Sequence, residues 1–397
     1  MNFEYTEDDK KFIEEFRRFC EREIAPHSEK ADEDGQIPRS HFKKLADVGY
    51  TGLLVPEEFG GSNAGYLKTV FAQEILGETC GSTFFSVGAS CGLMGLPLLE
   101  FGTTAQIQKY MPALIRGDGI GCLGVTEPDA GSDVSSIKST AKKKNGKLYL
   151  SGQKTYITNA PIADYAVVLA DYQEEDGKSH GLTAFLLETD RKGVSRGKPM
   201  KKMGLKGSPT GEFFFDGVEL NDTDILGRRG RGFMIIMDAF NRERLSMGAY
   251  CVGVMSACLT ESRRFSRSRK AFGRPIYKHQ SVAFMLSDML TKYEASRVLL
   301  HETAWMMDEF DGKKKGSMIH NGYPVDLTSR TAEIKLLAST YAREVCNLAV
   351  QIHGGAGYME EYKVSRLYRD IKIGEIGGGT SEIQKQIIAH SEAKRIK

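Results

Sequence analysis

The hydrophobic periodicity of this chain changes twice, and that order restricts the fold more than any other feature. From residue 6 to about residue 116 the apolar residues recur at helical spacing. Between about 120 and 229 they alternate with polar residues in short runs, and from Gly230 to the end the helical spacing returns. The two periods are not interchangeable, because each brings its apolar residues onto one face only in its own conformation. The order therefore predicts an α+β protein with a β domain between two helical ones. The expected bounds are 1–120, 121–229 and 230–397.

Local signals support each part. Thr6 is suited to cap a first helix, Asp9 lies in its first turn and Pro26 stops it. Residues 38–61 read as a helix ended by Gly49 and a loop. Asn145-Gly146 stands between alternating segments, which predicts a hairpin. "DYAVVLADY", "GLTAFLLETD" and "GEFFFDGVEL" read as strands. Near the end, "IGGGTSEIQ" runs three glycines into a helix start, with Ser381 and Gln384 spaced as a capping box. Glycine allows positive φ and close approach to a ligand, and a helix N-terminus offers unpaired N–H groups.

Composition excludes several classes. The chain has 397 residues, with 54 basic against 52 acidic ones, a balance that gives no basis for binding nucleic acid or a membrane surface. Its seven cysteines are scattered and form no CxxC pair, so neither a zinc site nor a disulfide framework is suggested. The acidic start "MNFEYTEDDKKF" has no signal character, and no apolar run is read as approaching the ~20 residues of a membrane helix. A cytoplasmic protein is expected.

One residue does not fit its surroundings. With 100° per residue, Ile236, Phe240, Glu243, Met247, Tyr250 and Val254 fall within roughly 40° of one line on the helix after residue 231. A carboxylate in that apolar stripe costs several kcal/mol unless it is paired or neutral. Two readings are open: Glu243 pairs with an arginine such as Arg242 or Arg244, or with one from another helix, or it faces a cleft as a general base with a raised pKa.

Five ordered stretches, "GVTEPDAGSD" (124–133), "QKTYITNAPIADYAVV" (153–168), "RKAFGRPIYKHQSVAFMLSDM" (269–289), "QIHGGAGYMEEYKVSRLYRDIKI" (351–373) and "GGTSEIQ" (378–384), resemble the acyl-CoA dehydrogenase family over nearly the whole chain. The resemblance implies a helical N-terminal domain, a middle β-barrel-like domain and a C-terminal four-helix bundle. It implies FAD, a homotetramer built as a dimer of dimers, an acyl-CoA substrate and electron-transferring flavoprotein as electron partner.

It also implies residue roles. Thr126 bonds the pyrimidine end of the flavin, Tyr156 packs against the ring and Thr158 bonds flavin N5. Read without the family, Tyr156 to Thr158 is an ordinary strand. Ser132 lies along the acyl-CoA entrance, with Ser90, Cys91, Leu93 and Met94 facing the acyl group and Arg244 beside it. Arg269 and Phe272 reach the FAD of a neighbouring subunit, an arginine being suited to pyrophosphate. Gln280, Gln351, Gly354 and Gly355 complete that cross-subunit site, while Thr380 and Glu382 border the cofactor. His353 is read as structural.

Many relatives carry the catalytic glutamate in a YEGT stretch before the last helix. Here the matching residues are Gly377, Gly378, Gly379 and Thr380, so that position has no side chain. A subset resembling isovaleryl-CoA and long-chain enzymes carries the base on the earlier helix in an E-R-L sequence, matched here by Glu243, Arg244 and Leu245. The resemblance then implies α,β-dehydrogenation with Glu243 as base and the Gly378 N–H on the thioester carbonyl. The missing side chains at 377 and 378 suggest a branched, cyclic or otherwise bulky acyl group. Two alternatives stand beside this: an enoyl-CoA reductase running in reverse, resembling crotonobetainyl-CoA reductase, and a non-catalytic acyl-CoA or flavin-binding paralogue.

Overall fold

The computed structural model describes residues 4–310, 319–320 and 322–396. Seven helices come first: α1 (Glu7–Glu23), α2 (Ser28–Asp34), α3 (Ser40–Asp47), α4 (Gly65–Thr79), α5 (Gly81–Gly88), α6 (Leu96–Phe101) and α7 (Thr104–Ile115). Thr6 caps α1 in a reciprocal box with Asp9, as its spacing suggested. Gly49 takes φ 78° after α3. A π-helical turn, Ala89–Gly95, joins α5 to α6. Together Gly81–Phe101 form 21 residues that are long and apolar enough to cross a bilayer by composition. That corrects the expectation that no such run exists: the glycines break it to the eye, yet the helix continues through them. Half of the run is buried inside the protein, where it packs on α4 and on the first strand.

The strands of the middle part are β1 (Gly121–Gly124), β2 (Thr140–Lys144), β3 (Lys147–Thr158), β4 (Tyr165–Gln173), β5 (Ser179–Glu188), β6 (Val194–Arg196), β7 (Thr210–Leu220) and β8 (Ile225–Leu226). They form one eight-stranded sheet, seven strands in the order β6-β7-β3-β2-β4-β5-β8 and β1 paired with β4 off that path. β1 and β2 both run parallel to β4, at Tyr165–Val168 and at Asp171–Gln173. Asn145 (φ 51°) and Gly146 (φ 76°) make the β2–β3 hairpin turn, two consecutive left-handed residues as such a turn requires.

The chain then returns to helices: α8 (Gly232–Ser268), α9 (Gln280–Phe310), α10 (Leu327–His353), α11 (Lys363–Asp370) and α12 (Ser381–Arg395). α10 packs against α8, α9 and α12. α8 also packs along α4, where Gly253 permits the crossing: a Cβ there would lie 2.2 Å from the Glu74 carbonyl oxygen. α8 is thus shared between the C-terminal helices and the N-terminal ones, and its carboxylate stripe looks into the seam between all three parts. Ile236, Met247, Tyr250 and Val254 of that stripe are buried.

Candidate active site

A cavity of about 880 Å³ lies at this seam, and Glu243 lines it. The Glu243 carboxyl makes no hydrogen bond and no ion pair among the described residues, and its Oε2 is buried without a partner. The pairing reading fails, because both neighbouring arginines turn elsewhere. Arg242 donates from Nε to the Tyr66 hydroxyl (2.9 Å) and from Nη1 to Asp238 (2.6 Å), and Arg244 donates to Asn241 Oδ1 (2.6 Å). Burial pushes the Glu243 pKa up to about 7, against the opposing pull of Arg244 and Lys335. A carboxyl poised near neutrality can accept or give a proton at ordinary pH.

Opposite Glu243 runs the glycine loop. Gly377, Gly378, Gly379 and Thr380 all line the cavity. Gly378 is left-handed at φ 64°, and its N–H donates no hydrogen bond among the described residues. The loop's carbonyls, in contrast, are held. Lys335 on α10 is fully buried and donates from Nζ to Gly379 O at 2.7 Å. Buried Gln384 donates to the same oxygen at 2.8 Å and to Gly378 O at 3.3 Å. Burial lowers the Lys335 pKa to about 8. Thr380, not Ser381, caps α12, its hydroxyl accepting from Ile383 N. The expected box is therefore corrected by one residue, because Gln384 is spent on the glycine carbonyls.

A third wall comes from the sheet. Thr126, Ser132, Tyr156 and Thr158 line the cavity. Tyr156 departs from an ordinary strand: it sits in the register shift of β3 between Lys154 and Ile157, has φ 58° and leaves 68% of its surface exposed. A non-glycine residue in that conformation is held there by its surroundings. Lys154, on the same strand, donates from its buried Nζ to Val125 O (3.1 Å) and Glu127 Oε1 (2.7 Å). Thr155 N donates to Thr126 O at 2.9 Å. These bonds fix Thr126 beside Tyr156. An exposed ring and two threonine hydroxyls around an open cavity suit a planar heteroaromatic group.

Of the four residues expected to face an acyl group, Cys91 and Leu93 line the cavity. Ser90 does not: it is 2% exposed and its Oγ accepts from Gly121 N at 2.9 Å, tying the π-turn to β1. Met94 is fully buried as well. The π-turn carries the correction, since its wider winding displaces side chains from α-helical spacing. Arg269, Phe272, Gln280, Gln351, Gly354 and Gly355 are all exposed and do not line this cavity. They gather at one end of the helical bundle, where Phe265 of α8 stacks on His353 of α10 with ring centroids 4.3 Å apart. His353 is buried and its Nδ1 lies 2.8 Å from Ala349 O, a structural role. Glu382 is exposed on the first turn of α12.

Family models for the acyl-CoA dehydrogenase N-terminal, middle and C-terminal domains match residues 6–118, 122–218 and 230–392. The chain belongs to the acyl-CoA dehydrogenase family. It is 37% identical over 395 residues to the probable acyl-CoA dehydrogenase YngJ of Bacillus subtilis, covering 99% of this chain and 100% of the relative. It is 35% identical to a 3-(aryl)acrylate reductase of Clostridium sporogenes, covering 95% of this chain and 96% of that one. Among solved structures, butyryl-CoA dehydrogenase from Megasphaera elsdenii superposes with a TM-score of 0.91 at 34% identity, over 99% of this chain and 100% of that chain. The acyl-CoA dehydrogenase fold expected from the motifs is present, and the protein is an oxidoreductase of the class acting on CH–CH donors. Members of the family are FAD-dependent.

Sequence reasoning missed Lys335 and the Lys154–Glu127 pair, and it gave Gln384 a capping role in place of its bonds to the glycine carbonyls. Lys335 had a signal: Ala332, Ala338, Ser339 and Ala342 flank it at helical spacing, which marks a buried face carrying a charge.

Proposed function

We propose that this protein catalyses α,β-dehydrogenation of an acyl-CoA thioester, with Glu243 as the base. The observation that carries the reading is the meeting of two unpartnered groups, the Glu243 carboxyl and the Gly378 N–H, on one cavity. The N–H holds the thioester carbonyl and stabilises the negative charge that develops on it. The α-proton passes to Glu243. Bound FAD, held by Thr126, Tyr156 and Thr158, supplies the acceptor for the hydride from the β-carbon. Ser132 and Arg244 border the substrate. A branched, cyclic or otherwise bulky acyl group is favoured by the small wall of Gly88, Ala89, Cys91 and Gly92. Space at Gly378 does not contribute to that argument, because Glu243 occupies it.

One observation favours a second reading, reduction of an enoyl-CoA. A carboxyl with a pKa near 7 serves as acid as well as base, and a reductase is among the relatives. The electron partner's potential sets the direction. Electron-transferring flavoprotein is the proposed partner, supported by the related CarC subunit of a caffeyl-CoA reductase–Etf complex in Acetobacterium woodii. We further assign Arg269, Phe272, Gln280, Gln351, Gly354 and Gly355 to a neighbouring subunit's FAD in a cytoplasmic homotetramer, with Thr380 and Glu382 near the cofactor. The exposed Phe272 (96%, φ 49°) supports this. The domain bounds proposed are 1–120, 121–229 and 230–397.

The test is anaerobic mixing of the FAD-loaded protein with a panel of saturated acyl-CoA thioesters. Flavin bleaching is expected with at least one of them. Tight CoA binding with no bleaching by any would favour the non-catalytic paralogue. An FAD-loaded monomer in sedimentation would remove the shared-site assignment.

A further inference from the structure

The cavity wall opposite the sheet is not uniformly apolar. α4 turns Tyr66, Thr69 and Gln73 toward the cavity, one, four and eight residues after its first residue, Gly65, so they follow a single helical face. α8 turns Arg242 and Ser246, one turn apart, toward the same space on the α4 side of Glu243. The two rows meet: Arg242 Nε donates to the Tyr66 hydroxyl at 2.9 Å, and Gln73 Nε2 donates to Ser246 Oγ at 3.0 Å. Ser246 Oγ donates in turn to Arg242 O at 3.2 Å, and Thr69 Oγ1 to Gly65 O at 2.8 Å. Gln73 Oε1 accepts no hydrogen bond among the described residues.

This arrangement is unfavourable for a plain hydrocarbon chain. The hydroxyls are held within the protein, but covering the Gln73 amide oxygen with alkyl groups removes water from it and returns nothing. Charge narrows the choice further. The Arg242 guanidinium already faces Asp238 (2.6 Å) and Glu100 (3.5 Å), so two carboxylates stand against one cation. A substrate carboxylate would be a third negative charge and is disfavoured.

We infer that the acyl group carries a neutral hydrogen-bonding function remote from the thioester, a hydroxyl or phenol, which donates to Gln73 Oε1 and is received within the Tyr66–Gln73–Ser246 cluster. This rests on the reading that the cavity takes acyl-CoA. A site built to bond a substrate hydroxyl rejects the analogue lacking it far more strongly than an apolar pocket rejects a change of size.

The experiment uses the FAD-loaded protein and matched thioester pairs. One pair is 5-hydroxypentanoyl-CoA against hexanoyl-CoA, the other 3-(4-hydroxyphenyl)propanoyl-CoA against 3-phenylpropanoyl-CoA, with glutaryl-CoA as the charged comparison. Binding is read by calorimetry and flavin bleaching by stopped flow. In at least one pair the hydroxylated member should bind at least tenfold more tightly. Gln73→Leu should erase that preference while leaving FAD content and binding of free CoA unchanged. Equal or better binding of both unsubstituted members, a preference for glutaryl-CoA, or a hydroxyl preference that survives Gln73→Leu together with Ser246→Ala overturns the inference alone. If no thioester binds, the acyl-CoA reading falls first and the inference falls with it.

Discussion

Glu243 and Gly378 face each other so closely that a Cβ on Gly378 would stand 3.3 Å from both Cδ and Oε2 of Glu243. Two positions 135 residues apart in sequence thus address one point in space. A carboxyl from either could reach the same substrate atom, and the glycine leaves room for the carboxyl that is present. Glu243→Gln should therefore keep the shape of the site, FAD content and acyl-CoA binding. Flavin bleaching should slow by about 10²–10⁴-fold, the usual worth of a positioned base. Stopped-flow bleaching within a few-fold of the parent rate would remove Glu243 as the base.

The same proximity makes relocation testable. Glu243→Ala combined with Gly378→Glu should regain part of the rate lost in Glu243→Ala alone, since a carboxyl returns to the same space. The recovery is limited by the backbone: φ at 378 is 64°, and an L-residue there costs roughly 1–2 kcal/mol. A lowered melting temperature with partial bleaching is the expected pair of results. A folded, FAD-loaded double variant with no bleaching would show that the loop and helix positions are not equivalent.

Burial raises the Glu243 pKa from its usual 4.5 to about 7, and the sign of each consequence follows. The base must be ionised, so kcat/KM for bleaching should fall about tenfold per pH unit below 7 and level off above it. Stability runs the other way. The folded protein holds this proton more tightly than the unfolded chain, so rising pH between about 4.5 and 7 weakens the fold. The cost above pH 7 is on the order of 3 kcal/mol at one pH unit per 1.36 kcal/mol. Glu243→Gln should melt higher than the parent at pH 8, with the gap closing near pH 4.5. Thermal scans at the two pH values check it.

Much of this was legible in the sequence because it depends on periodicity. The order of helices and strands, the Thr6 cap, the Asn145-Gly146 turn and the misplaced charge at Glu243 are all local patterns. What was not legible depends on backbone irregularity. Ser90 turns to Gly121 because a π-turn replaces α-helix over Ala89–Gly95, and no spacing rule reveals that turn. Tyr156 is aimed by a bulge whose partner strand, β7, lies more than 50 residues on. Thr380 caps α12 in place of Ser381 because Gln384 is drawn to carbonyls that only the folded loop presents.

Lys335 holds the loop and tunes the base, so its replacement should separate two effects. Lys335→Met removes the bond to Gly379 O and an ammonium that favours the ionised form of Glu243. Bleaching should slow as the Gly378 N–H loses its fixed aim, an effect of about 10²–10³-fold if that donor is lost entirely. The pH midpoint of kcat/KM should also move upward, because Lys335 favours the ionised carboxyl. A variant that only loosens the fold would lower stability and leave the midpoint in place.

The last prediction concerns the size of the acyl group. Gly88 and Gly92 line the cavity, and a Cβ added at either would meet nothing within 4 Å. Neither has positive φ, so a side chain there brings no backbone strain. Gly92→Leu should therefore fold as well as the parent, or better, since glycine costs about 1 kcal/mol in a helix. The new side chain projects into the acyl space, where a branched or ring-bearing chain would have to sit. Bleaching by branched and aryl thioesters should fall at least tenfold relative to butyryl-CoA, since the substitution adds four carbons and even one methylene in an apolar pocket is worth about 1–3 kcal/mol. The ratio of kcat/KM values across the panel is the measurement. An unchanged ratio would mean that this wall does not touch the acyl group, and the argument for a bulky substrate would lose its structural basis.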